Sequence, residues 1–248
     1  ISEGFEGFEL YFQPIYNTDD DSLSGAEALI RWNSRKYGFI GPNTFIPLLE
    51  DSALIIPLGR WIINTAAKAC NRWITSIPDF VMHINLSFVQ IVKSNIVKDV
   101  LENIERYSAA NNHYVFEITE TIEMDQIPAV QNVFKEFVKN DFRFAIDDFG
   151  TGYSNYGYMR DRTFDIVKVD RSFVTDIDKL KDNYLMVSFI IKMAHEMGLH
   201  VCIEGVETKE ELSCVKKLGA DYIQGYYYGK PVCLQDFEEQ HLKRFVLG

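Results

Sequence analysis

Two periodicities alternate along the chain. Residues 10–16 (LYFQPIY) and 23–32 (LSGAEALIRW) are apolar-rich runs of strand length, separated by a short polar stretch with Asn17, Thr18 and Asp19 to Asp21. A link this short cannot carry a helical crossover, so the two runs are expected to pair antiparallel as a hairpin. Residues 43–49 read as a short helical turn, and residues 58–75 place Trp61, Ile62, Ala66, Ala69 and Trp73 at helical spacing. From Val81 onward, short apolar runs and amphipathic segments take turns. Strands are predicted at 81–86, 114–119, 142–147, 166–170, 199–205 and 222–224. Helices are predicted at 96–107, 127–139, 153–160, 184–198, 209–218 and from Gln235.

That pattern contains eight strands, the last six each followed by a helix. Buried parallel strands with helical crossovers favour a closed barrel or an open doubly wound sheet. The count of eight favours an α/β fold of the (β/α)8 TIM-like kind, modified by a first strand antiparallel to its neighbour. No repeat, low-complexity run or Pro/Gly-rich linker divides the 248 residues, which are expected to form one domain, 1–248. Ile1 is not a start methionine, so the chain is read as a fragment of a longer protein.

The centre of the pattern is FAIDDFGTGYS, residues 144–154: an apolar run ends in Asp147 and Asp148, followed by Gly150 and Gly152. Adjacent buried carboxylates repel unless cations compensate them. In a barrel the active site lies at the C-terminal ends of the strands. Polar residues late in each strand therefore test the reading: Glu27 and Arg31, Asn85, Glu117 and Glu120, Asp147 and Asp148, Lys168 and Asp170, Glu204 and Glu207, and Gln224. Singly, each has a structural explanation in pairing or capping. Jointly, seven consecutive strands deliver an acid, amide or amine to one rim. Oxygen ligands without a His or Cys cluster suit Mg²⁺ or Mn²⁺ rather than zinc. His195 and His200, five apart, do not form HExxH, and His83 and His113 read as structural. Two cations shared by Asp147 and Asp148 would suit in-line phosphoester hydrolysis. Lys168, two residues before Asp170 on one strand, should share its face and could orient the attacking water. Spacing leaves Glu204 open as proton acceptor or ligand.

Composition narrows the partners. A net charge of -11 argues against a nucleic-acid polymer as ligand. Cys70, Cys202, Cys214 and Cys233 form no CxxC pair and are expected as buried thiols in a cytoplasmic domain. No apolar run is long enough to span a bilayer, so no membrane contact by this domain is expected. The Asp148-Phe149-Gly150 string lacks the glycine-rich loop and HRD segment of a kinase. Tyr226, Tyr227 and Tyr228 read as packing more readily than as base-stacking groups.

Glu27-Ala28-Leu29 with Arg31, Asn85-Leu86-Ser87, Glu117 to Glu120, Asp147 to Tyr153, Lys168-Val169-Asp170, Glu204 to Glu207 and Gln224-Gly225-Tyr226 together strongly resemble the EAL family. The resemblance runs in family order from about residue 10 to the C-terminal region. It implies hydrolysis of cyclic-di-GMP to linear pGpG with two Mg²⁺ or Mn²⁺ ions. It also implies Glu27, Asn85, Glu117, Asp147 and Asp148 as metal ligands, with Asp147 bridging. Lys168 and Glu204 would stand nearest the attacking water, while Gln13, Arg31, Asp170, Glu207 and Gln224 would contact or support substrate. Glu120 would anchor the DDFGTGY loop. Calcium, which takes more ligands at longer distances, is expected to occupy the site and inhibit. Some family members are non-catalytic cyclic-di-GMP receptors. Here the departures, Ile203 and residues 33–35, remove no expected ligand, so an active enzyme is favoured. The family further suggests a homodimer and an additional N-terminal sensor or GGDEF domain.

Overall fold

The expected hairpin forms, and it closes a barrel. In the computed structural model, which describes residues 5–119, 128–151 and 163–243, β1 (Phe8–Asn17) pairs antiparallel with β2 (Leu23–Ser34) from Phe8 opposite Trp32 to Tyr16 opposite Leu23. A three-residue β3 (Gly38–Ile40) folds back on the far end of β2. From β2 the sheet continues in parallel through β4 (Val81–Asn85), β5 (Tyr114–Thr119), β6 (Arg143–Phe149), β7 (Ile166–Val169), β8 (His200–Glu204) and β9 (Tyr222–Gln224). β9 then returns antiparallel to β1, with Ile15 opposite Gln224. The ring therefore has eight strands, with β1 antiparallel to both neighbours. A two-residue β10 (Val232–Cys233) adds to the outer part of β1.

The helices are α1 (Pro42–Asp51), α2 (Ile55–Trp73), α3 (Phe88–Lys93), α4 (Ile96–Ile104), α5 (Pro128–Lys139), α6 (Lys181–Glu196) and α7 (Lys209–Leu218). The chain then makes one helical turn, Leu234–Phe237, and a π-helical segment, Glu238–Leu242. α2 begins at Ile55, earlier than residue 58, because Ile55 lies on the same buried face as Ile62, Ala66, Cys70 and Trp73. α3 was not expected. It is six residues long and held by a capping box, in which Ser87 accepts from Val89 N while the Gln90 side chain accepts from Ser87 N. The expected helix at 153–160 and the start of the one at 127 fall outside the described residues, as does Glu120. Among the described residues no helix is long and apolar enough to cross a membrane.

Inside the ring the side chains form layers. Ile15, Val115, Ala145, Ile166 and Cys202 make an apolar floor, joined by Val81 and Tyr222. Side chains alternate across a strand, so the residue two further along each strand must also point inward. Val81 thus leads to His83, Val115 to Glu117, Ala145 to Asp147, Ile166 to Lys168, Cys202 to Glu204 and Tyr222 to Gln224. A polar layer is the direct consequence. The helices pack on the outside, where the rings of Phe116, Phe134, Phe137, Phe142 and Phe144 meet edge to face or tilted.

At the opposite, N-terminal end, Asp221 ties α6, β8 and β9 together. Its carboxylate accepts from His195 Nε2 at 2.8 Å, His200 Nδ1 at 3.1 Å and Val201 N at 2.7 Å. Burial opposes the charge, but these bonds win and hold the carboxyl down at about 2, while the bond to Asp221 raises His200. Asp221 therefore stabilises the fold above about pH 4 and loses that effect as pH falls through about 2. The share from His200 is full below about pH 6.5 and fades as pH rises through its raised value. Asp221→Asn should cost about 1 kcal/mol near pH 5 after allowance for solvent screening, and almost nothing at pH 2. Urea unfolding at the two pH values checks this; an equal loss at both would contradict it.

Candidate active site

Lys168 sits at the centre of the polar layer with its side chain fully buried. Its ammonium lies 2.7 Å from Glu117 Oε2, 2.8 Å from Glu204 Oε1, 3.0 Å from Asp147 Oδ1 and 3.3 Å from Glu27 Oε2. Burial works against that charge, but the surrounding carboxylates outweigh it and raise Lys168 well above the ordinary lysine range. Four carboxylates surround one ammonium, so the cluster carries a surplus of negative charge. Burial and the neighbouring acids accordingly push Glu117 upward and Glu204 to about 8.

Amides and an imidazole fix the acids. Asn85 Nδ2 donates to Glu27 Oε1 at 2.6 Å, and Gln224 Nε2 donates to Glu27 Oε2 at 2.7 Å. Burial alone would raise Glu27; Lys168 and these two amides hold it down at about 2. Gln224 Nε2 also lies 3.1 Å from Gln13 Oε1, and Gln13 Nε2 reaches Gly229 O. His83, buried, places Nδ1 2.7 Å from Glu117 Oε1. Burial and Lys168 lower its pKa to about 3, so the neutral ring donates a hydrogen bond to Glu117 rather than forming an ion pair. The sequence reading of His83 as structural overlooked this partnership. Its inward parity, two residues after Val81, was the available signal.

Asp147 and Asp148 both lie inside β6, which runs on to Phe149, two residues beyond the expected strand end at 147. In a regular strand adjacent side chains face opposite ways. Here the register with β7 shifts between Ile146 and Phe149, and Asp148 takes a φ of +53°. This bulge turns both carboxylates toward one place. Asp147, Asp148 and Glu204 each offer an oxygen within 4.8 Å of the others. Gly150 follows with φ +97°, and a Cβ there would stand 2.7 Å from the Phe173 ring, so only glycine fits. The donor set is all oxygen, which suits a hard divalent cation, and the surplus negative charge gives such a cation a favourable place.

The remaining expected residues are distributed as follows. Glu27, Asn85, Glu117, Asp147 and Asp148 all line one cavity of about 640 Å³, together with Arg31. Arg31 also lines a second cavity of about 330 Å³, and its guanidinium lies 5.8 Å from the centre of the Tyr11 ring. Asp170 does not continue β7 as expected. The strand ends at Val169, and Asp170 caps the turn Arg171–Phe173 by accepting from Ser172 N at 2.9 Å. Glu207 stands half exposed beside Arg171 at 3.8 Å, outside the Lys168 cluster. Tyr228 packs, stacking on Tyr16 and bonding Asp21, whereas Tyr226 is exposed at the second cavity.

The sequence profile of the EAL domain matches residues 2–231. The chain belongs to the EAL domain family. It is 32% identical over 227 residues to the probable cyclic di-GMP phosphodiesterase PdeG of Escherichia coli, covering 91% of this chain and 45% of that protein. This EAL domain superposes on EAL enzyme Bd1971, in its cAMP- and cyclic-di-GMP-bound form, with a TM-score of 0.89 and 36% identity. That match covers 94% of this chain and 64% of the other. Against the PaMucR phosphodiesterase in complex with c-di-GMP the TM-score is 0.87 at 29% identity, covering 93% and 94% of the two chains. The chain spans 27% to 45% of the length of the first curated relatives it matches.

Proposed function

We propose that this EAL domain hydrolyses one phosphodiester of cyclic-di-GMP to linear pGpG with the help of Mg²⁺ or Mn²⁺. The observation that carries the reading is the buried ring of Glu27, Glu117, Asp147 and Glu204 around Lys168, opening into a cavity that Arg31 borders. The activity named for the E. coli relative supports it. Asp147, Asp148 and Glu204, with Glu27, Asn85 and Glu117, would hold the cations. Bound there, the cations activate water and neutralise charge on the phosphate.

The chain's own groups do the rest. Arg31 binds phosphate and orients the dinucleotide across the rim. Water attacks phosphorus in line, the bond from phosphorus to the 3′ oxygen breaks, and that oxygen leaves with a proton drawn from solvent water. The Lys168 ammonium orients the water, and the Glu204 carboxylate, 2.8 Å from it, takes the water's proton. Gln13 and Gln224 keep Glu27 in place through their amide chain. Asp170 and Glu207 support the rim from outside the cluster.

Incubation with cyclic-di-GMP and Mn²⁺, followed by chromatography, should yield pGpG; its absence from both monomer and dimer would overturn the reading. Calcium should compete for the site and suppress turnover, because its longer bonds and higher coordination number spoil the in-line geometry. Turnover in Ca²⁺ equal to that in Mg²⁺ would contradict this. Two copies are proposed to pair, supported by Leu180, Leu185, Met186 and Phe189, which are exposed at the start and along one stretch of α6. Light scattering tests that point.

A further inference from the structure

Strand β4 turns three side chains inward, Val81, His83 and Asn85, and each serves a different layer. Val81 packs on the apolar floor, and Asn85 reaches Glu27 in the polar layer. His83 lies between them. In the register with β5 it stands opposite Val115, while Asn85 stands opposite Glu117. The two strands run parallel, so His83 approaches Glu117 from the floor side. Its buried ring places Nδ1 2.7 Å from Glu117 Oε1. Glu117 lines the cavity of about 640 Å³ and His83 does not, so whatever the imidazole contributes there it contributes through Glu117.

The last torsion of a glutamate is soft, so a single hydrogen bond leaves its carboxylate free to turn. Glu117 has two: Lys168 Nζ donates to Oε2 at 2.7 Å, and His83 bonds Oε1. Held at both oxygens, the carboxylate keeps one plane. The two partners are not equivalent. Lys168 divides its ammonium among four acids, and a divalent cation entering the ring competes with it for the same oxygens. His83 Nδ1 bonds Glu117 alone among the described residues, from beneath.

We propose that His83 is a positioning residue for the cation site: its Nδ1–H, donated to Oε1, holds Glu117 in the orientation that receives a divalent cation from the cavity. The inference rests on the metal-dependent reading above. Toward an ionised carboxylate the ring nitrogen is the donor. Carboxylates that ligate metals rely on such outer partners, and losing one costs roughly ten- to a hundredfold in cation affinity. His83 meets neither water nor substrate in the cavity, so it governs how tightly the cation is held rather than the chemical step.

Calorimetric titration of the metal-free protein with Mn²⁺ separates this role from plain core packing. His83→Leu fills the space of the imidazole without a donor, whereas His83→Asn keeps an N–H near the place of Nδ1. The Leu variant should bind Mn²⁺ roughly ten- to a hundredfold more weakly than the wild type. The Asn variant should recover most of that affinity. In a pGpG assay the loss in the Leu variant should fall on the Mn²⁺ concentration needed for half-maximal turnover rather than on kcat. A Leu variant that binds Mn²⁺ like the wild type overturns the inference. So do Leu and Asn variants that are equally weak, since ring shape and not the hydrogen bond would then matter. Should the Leu variant not fold, the wild type still decides: the proton resonance of His83 Nδ1–H must move when Mg²⁺ is added, and an unmoved signal overturns the inference. A wild type that binds no Mn²⁺ overturns the metal reading and this inference together. Mn²⁺ binding that weakens as expected in the Leu variant, with no pGpG formed by the wild type, supports the role of His83 and overturns only the hydrolysis.

Discussion

Lys168→Met should abolish turnover and, in EDTA, lower stability by roughly 3–5 kcal/mol, the usual penalty for removing one partner from a buried charge cluster. The ammonium is the counter-ion to Glu27, Glu117, Asp147 and Glu204, all within 3.3 Å. Methionine matches the length of the lysine stem and preserves packing above Ile166 and Cys202, so the loss reports charge rather than volume. Without the ammonium the acids must take up protons or spread apart, and both oppose folding. A divalent cation offers them another partner. Mn²⁺ should therefore recover much of the lost stability without recovering catalysis, because the group proposed to orient the water is still missing. Thermal unfolding in EDTA and in Mn²⁺, beside a pGpG assay, checks both halves. A variant that melts like the wild type in EDTA would show that Lys168 is not what neutralises the ring.

Asp147→Asn should act in the opposite sense on stability while being as damaging to activity. The amide has the shape of the carboxylate, so the bulge at Asp147 and Asp148 is kept. Removing one negative charge from a ring that has a surplus should leave stability in EDTA equal to or above the wild type. Turnover should fall by about a thousandfold or more, since Asp147 lies at the meeting point of the Asp148 and Glu204 oxygens and its loss weakens cation binding throughout. The metal-dependent rise in melting temperature should shrink as well. An Asp147→Asn variant with near-wild-type kcat/KM would remove Asp147 from the metal site. Together the two variants separate the roles: one removes the cluster's own cation, the other its capacity for added ones.

The strand pattern made most of this arrangement legible in advance. Because side chains alternate along a strand, the apolar floor residues Val115, Ile166 and Cys202 already imply that Glu117, Lys168 and Glu204 point inward, and the short link after Asn17 already implies an antiparallel β1. These are local rules, and each needs only a few neighbouring letters. The elements that escaped are those with too few residues to carry a period of their own. β3 and β10 have three and two residues, and α3 has six, although its Ser87 and Gln90 capping box was there to be read. Asp170 was misjudged because where a strand stops depends on its partners, and β8 pairs with β7 only as far as Val169.

What the sequence determined by itself is the set of inward-facing acids, amides and the one lysine, since parity follows from the backbone geometry of each strand alone. What only the tertiary structure decided is which of them touch. Glu27 and Lys168 stand 141 positions apart, Gln13 and Gln224 stand 211 apart, and Glu50 meets Ser87 across two helices. Those distances are set by barrel closure and strand stagger, which are properties of the whole ring and are written in no single stretch of it.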